Sequence, residues 1–158
     1  MVSTEGSINA ATATACPLCA AAGGKLIWQD ALCRVVQVDD AEGRAFPGFC
    51  RVVWARHVGE MSDLPAPERR HFLSVIMAAE AAVRQVAKPD KMNLASLGNA
   101  VPHLHWHVIP RWRDDSHFPA AIWATPRRES AGHRRVSEAE LRAALIEALG
   151  EEHGGGLA

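Results

Sequence analysis

GNAVPHLHWHVIP, residues 98–110, sets three histidines, His103, His105 and His107, in strict alternation with Leu104, Trp106 and Val108. A period of two marks a strand, because successive side chains of an extended chain point to opposite faces. Residues 103–109 therefore read as one strand, with the imidazoles on one face and the apolar side chains on the other. That apolar face needs cover, from a helix or from a partner subunit. Residues 98–102 join it to a preceding strand, 92–97, which predicts a hairpin.

Working outward, residues 32–39 and 49–54 are further strand-like runs rich in Val, and 26–28 is a short apolar segment. Between the two runs, residues 40–48 read as a turn broken by Gly43, Pro47 and Gly48. Ser62, Pro65, Pro67 and Glu68 look like a helix entrance. Phe72, Ile76, Ala79, Val83 and Val86 then form one apolar stripe at the helical period, so a helix over about 67–87 should lie on the sheet until Lys88-Pro89-Asp90 ends it. Residues 111–126 show no clear period. Ser137 and Glu140 have capping-box spacing and open a helix with Leu141, Leu145 and Leu149 on one face, closed by Gly150. The pattern predicts an α+β fold: an antiparallel sheet of about five strands, one long helix packed on it and a C-terminal helix. Three segments are expected: a flexible tail at 1–15, one domain at 16–126 and a helical extension at 127–158.

A chain of 158 residues with 48% hydrophobic residues suits a single core. A formal net charge of −1 argues against a nucleic-acid surface, so an anionic ligand must be held by a local site. No apolar run approaches the roughly 20 residues that span a bilayer, and the N-terminus lacks the features of a signal peptide. The four cysteines, Cys16, Cys19, Cys33 and Cys50, are then expected as thiols in a reducing cytoplasm, with Cys33 and Cys50 packed as small hydrophobes.

A row of histidines can be a metal site, a catalytic site, or a set of solvated or core side chains. Each two-residue step along a strand advances about 6.6 Å, so the outer two Cα atoms lie about 13 Å apart. One metal can draw in two adjacent imidazoles of such a row but hardly all three. At least one is left for other work. A neutral imidazole is abundant at pH 7 and needs no neighbouring base to act as a nucleophile.

His103-Leu104-His105-Trp106-His107-Val108-Ile109 resembles the signature of the histidine-triad (HIT) family. Other features agree in order: a strand ending in a polar residue at Asp39, Phe46-Pro47-Gly48-Phe49 in place of a Pro-Gly-His turn, and a strand leading to a basic residue and His57. The resemblance runs from about residue 16 to 113 and is strongest to bacterial members with an N-terminal CxxC. It implies that His105 attacks the α-phosphorus of a nucleoside phosphoramidate, ester or dinucleoside polyphosphate, giving a covalent nucleotidyl-histidine. His107 would donate to the phosphate, a contact worth about 2.7–4 kcal/mol in the transition state. Asn99 would bridge phosphate and leaving group, and Asp39 would hold the ribose hydroxyls; by residue type alone Asn99 also reads as a turn residue after Gly98, and Asp39 as a solvated turn residue. The chain departs from the family at Phe49, at residues 40–44, which look inserted, and at Ala100, where a hydroxyl is usual. Arg111 and Arg113 can be read as partners of distal phosphates or as solvated surface, and Ile27 and Trp28 as base-pocket or core residues.

Cys16-Pro17-Leu18-Cys19 is half of a zinc site by spacing, with free thiols or redox chemistry as alternatives. The resemblance supplies the other half: His57 and His103 complete a structural zinc site with Cys16 and Cys19, leaving His105 and His107 for phosphate. No organic cofactor is implied. The expected partners are an adenosine or guanosine phosphate substrate and a second copy of the chain in a homodimer, with no nucleic acid and no membrane. Two other functions compete: a zinc-dependent hydrolase built on the histidine cluster, and a nucleotide-binding protein with little turnover.

Overall fold

A computed structural model describes residues 15–154, so all but the last residue of the expected N-terminal tail lies outside the described residues. The elements in order are α1 (Pro17–Ala20), β1 (Lys25–Gln29), β2 (Cys33–Gln37), α2 (Ala41–Ala45), β3 (Cys50–Trp54), α3 (Ala66–Ala87), β4 (Lys91–Ala95), β5 (His105–Arg111) and α4 (Glu138–Gly154). The five strands form one antiparallel sheet in the order β1-β2-β3-β5-β4. The expected α+β architecture is the one observed.

Alternation along the strands sorts side chains onto two faces. On one face Cys33 and Val35, Cys50, Val52 and Trp54, and Val108 meet Phe72, Ile76, Ala79 and Val83 of α3 and Leu141, Leu145 and Leu149 of α4. Burying each large apolar side chain there contributes roughly 1.5–3 kcal/mol. Phe72 packs edge-on to Trp54 with ring centroids 5.2 Å apart. Trp106 packs against this core and Val108 is fully buried, so the apolar face of β5 finds its cover within the chain. Ile27 belongs to the same core and Trp28 packs on it; neither lines the cleft in front of His105 and His107. Cys33 and Cys50 are buried thiols in it, and burial pushes the Cys50 pKa up to about 12.

Among the described residues, no long helix covers the opposite face. Val36 and Val53 pack with Cys16 and Leu18, and Val38, Phe49 and Ile109 pack with Phe46 and Ile122. On β3, Arg51 stands between these small clusters, because Val53 belongs to one and Phe49 to the other. Arg34 ties the N-terminal segment down, donating to the carbonyls of Leu18, Ala21 and Ala22.

Several local expectations are corrected. The strand begins at His105, because His103 N–H bonds to the Val101 carbonyl and Leu104 N–H to that of Val58. Residues 40–48 contain α2, capped by the Asp40 carboxylate on the amides of Glu42 and Gly43. Ser62 does not cap α3; it sits in a 3-10 turn, Met61–Asp63, and Pro65 holds the cap position. Gly150 does not end the last helix, which runs to Gly154. A single helical glycine costs only about 1 kcal/mol against alanine, too little to stop a helix held by a leucine stripe.

The aperiodic stretch after β5 is pinned by charge. Arg111 is buried and donates to both carboxylate oxygens of Asp115, at 2.8 and 3.1 Å, as well as to Asn93 Oδ1 and the Ala120 carbonyl. It is a structural residue and cannot meet a distal phosphate; Arg113 is exposed. Asp115 also accepts from the amides of Trp112, His117 and Phe118. Burial alone would raise its pKa, but Arg111 and these amides outweigh burial and hold it below the ordinary carboxylate value. Removing one partner of a buried pair leaves the other charge uncompensated, so Asp115→Ala should destabilise the fold by about 3–5 kcal/mol in urea titration. A loss below about 1 kcal/mol would show that this pair does not anchor the segment.

Candidate active site

The histidine face of β5 opens into a cleft of about 610 Å³, lined among others by Leu18, Arg51, Asn99, His105, His107 and Trp123. Each strand contributes in register: Arg51 of β3 faces His107 across the ladder, and Val53 faces His105. The His105 and His107 rings lie edge-on with centroids 4.9 Å apart.

His105 Nδ1 bonds to the backbone carbonyl of His103 at 2.5 Å. A carbonyl only accepts, so Nδ1 carries the proton and Nε2 keeps its lone pair. Burial holds the His105 pKa below its ordinary value, outweighing the carbonyl, with Arg51 also acting against protonation. His107 is driven further, to about 4, by burial, then by His105 and Arg51. Its Nδ1 is buried without a hydrogen-bond partner among the described residues. The cleft thus combines one imidazole with a free lone pair and one neutral imidazole that can donate.

Asn99 is exposed on the loop between β4 and β5, beside Ala100, at the cleft wall. Asp39 is not brought to this cleft. It is exposed and lines a neighbouring one of about 490 Å³ with Lys25, Gln37 and Ser137; α2 lends Gly43 and Arg44 to that cleft and Glu42 to the histidine cleft. Two neighbours of His107 in the cleft were not anticipated. Trp123 approaches His107 with centroids 5.0 Å apart, and no periodicity in residues 111–126 signals it. Arg51 was legible in principle, as the single charge in an apolar strand that pairs with the histidine strand.

His103 points elsewhere. Its Nδ1 lies 3.5 Å from Cys16 Sγ and 3.4 Å from Cys19 Sγ, while His57 Nδ1 lies 3.4 Å from Cys19 Sγ. Tetrahedral zinc, with bonds of about 2.3 Å to sulfur and 2.0–2.1 Å to nitrogen, sets its S and N ligands about 3.6 Å apart. The cluster already has those spacings, and all four ligand atoms lie within 4.8 Å of one another. The other ring nitrogen of His103 bonds to the Trp54 carbonyl at 2.7 Å, the kind of contact that orients a metal-binding imidazole. Cys16, Cys19, His57 and His103 are thus a candidate metal site as expected, and His105 is not part of it.

The HIT domain profile matches residues 22–114 of this chain. The chain belongs to the HIT domain family. The matched span contains His57, His103, His105 and His107 but not Cys16 and Cys19. A Mycobacterium tuberculosis protein named AP-4-A phosphorylase is 32% identical over 82 residues, covering 48% of this chain and 42% of that protein. The Bis(5'-adenosyl)-triphosphatase of Saccharomyces cerevisiae is 33% identical over 73 residues, covering 42% and 35%. The matches therefore span less than half the length of these relatives. Among solved structures, a histidine triad protein from Marinobacter aquaeolei superposes with a TM-score of 0.63 at 26% identity, over 82% of this chain and 91% of that one.

Within this HIT domain both cleft histidines have depressed pKa values, so the unfolded state binds more protons below pH 6.5. Their contribution to stability is complete above about pH 6.5 and is lost as pH falls towards 4. Imidazole NMR titration should place His107 near 4 and His105 below 6.5; titration of His107 at or above 6.5 would refute the neutral pair.

Proposed function

We propose that this HIT protein is a nucleotide hydrolase or nucleotidyltransferase acting at an α-phosphate, with His105 forming a covalent nucleotidyl intermediate. One observation carries the reading: the His103 carbonyl fixes the proton of His105 on Nδ1, leaving Nε2 unprotonated in a cleft. In the first step Nε2 attacks phosphorus, the bond to the bridging atom breaks, and the leaving group departs with its electron pair. In the second, water or another acceptor takes the nucleotidyl group and Nε2 recovers its lone pair. His107 donates to the phosphate oxygens and Asn99 reaches the bridging atom from the loop. Relatives named for activity on bis-adenosyl polyphosphates support such a substrate class. Asp39, facing the adjoining cleft, would hold the ribose only if the nucleoside crossed α2.

The metal role we assign to Cys16, Cys19, His57 and His103 is structural zinc. Four protein ligands leave no open position for substrate or water, which argues against the competing reading of a zinc-dependent hydrolase.

His105→Ala should lower turnover of diadenosine polyphosphates or adenosine phosphoramidates by about 10³-fold or more while leaving the thermal midpoint nearly unchanged. Quenched wild-type reactions should carry one added nucleoside monophosphoryl group by intact-protein mass spectrometry, lost in that variant. Turnover surviving in His105→Ala would end the proposal. Tight nucleotide binding without turnover in the wild type would favour a binding protein instead. Elemental analysis should find about one zinc per chain, with Cys16→Ala losing both metal and thermal stability. Substoichiometric zinc together with an unchanged Cys16→Ala would remove the metal assignment.

A further inference from the structure

Among the residues lining the histidine cleft, Arg51 is the single Lys or Arg side chain. Its placement is set by the fold: β3 puts it on the cleft face opposite His107, and its guanidinium lies over the Phe49 ring, 5.5 Å from the centroid. Its polar contacts among the described residues are light for a guanidinium with five N–H donors. Nη1 donates to the Gly23 carbonyl at 3.2 Å, and the Glu42 carboxylate stands 3.6 Å from Nη2. Side-chain exposure of Arg51 is 20%, so the charge is partly desolvated and poorly screened. The remaining cleft wall is largely apolar or neutral: Leu18, Leu97, Ala100, Val101 and Trp123, with Glu42 as its carboxylate.

A polyphosphate chain brings several negative charges into this cleft, and Arg51 is the one lining cation that can meet them. We propose that Arg51 is the residue that binds the phosphates of the leaving group, and that it makes this cleft select polyphosphate substrates over those that leave as a neutral amine. The inference rests on the α-phosphate chemistry proposed for His105 and deepens it. A guanidinium grips phosphate oxygens in a planar fork. When the Pα–O bond breaks, the departing polyphosphate takes the electron pair and gains negative charge beside Arg51. An amine leaving group gains no such charge and draws nothing from it. Glu42 opposes the same contact by neutralising part of the guanidinium.

The test compares diadenosine tetraphosphate with an adenosine phosphoramidate, which share the adenylyl group and differ in what leaves. Arg51→Leu should lose about 10–100-fold in kcat/KM on the polyphosphate and less than about threefold on the phosphoramidate, with Arg51→Lys recovering part of the difference. Equal losses on both substrates, or no loss on either, would overturn the assignment. Glu42→Gln keeps Arg51 in place and should raise the preference for the polyphosphate; an unchanged preference counts against the proposal, even if Arg51→Leu fails to fold. Calorimetric binding of ATP against AMP reads the same contact without turnover: wild type should prefer ATP, and Arg51→Leu should not. That preference would stand even if His105 formed no adduct, and its absence in the wild type would sink the Arg51 assignment alone.

Discussion

The contact on which the candidate site depends is the backbone carbonyl of His103 accepting the Nδ1 proton of His105. The same residue lies between two parts of the molecule. Its ring bonds to the Trp54 carbonyl at the end of β3 and reaches the Cys16 and Cys19 sulfurs of the N-terminal segment. Its amide bonds to the Val101 carbonyl, ending the loop that carries Asn99. The N-terminal segment, the edge of the loop and the tautomer of His105 are therefore tied to one residue. The ring of His103 is occupied by these contacts, and it is its main-chain carbonyl that reaches the cleft histidine His105.

Electrostatics complement that arrangement. Burying two imidazoles side by side penalises their charged forms, and the nearby Arg51 penalises them again. The result is a pair of imidazoles that favour their neutral forms, with fixed positive charge supplied by one side chain on the adjacent strand. The carboxylates nearby are placed differently: Asp115 is spent on Arg111, and Asp39 opens onto the neighbouring cleft.

Much of this was legible in the alternation of a few short runs. Period two in the Val-rich and His-rich segments gave the strands and their faces, and period three to four in Phe72, Ile76, Ala79 and Val83 gave the helix that covers one side. The Cys16 and Cys19 spacing announced half of the candidate metal site, and the family resemblance named its other half. What escaped the sequence was interaction between distant, aperiodic residues. Nothing local marks Asp115 as the partner of Arg111, and nothing marks Trp123 as a neighbour of His107. Arg51 is visible as an isolated charge, but its meaning needs the β3–β5 register. The place of Asp39 depends on α2, whose five residues read as a turn because Gly43 and Pro47 outweigh a weak helical signal.

Strand β5 is not at the margin of the sheet: β3 flanks it on one side and β4 on the other. Its main chain can come free only when one of those ladders opens, and such openings belong to the costliest fluctuations of a small domain. His105 and His107 therefore stand on a strand held from both sides, and adaptation to differently shaped ligands would fall to the segments around them. Variation among relatives in what they accept would then be written in residues 96–104 and 111–126, with the strand itself held constant.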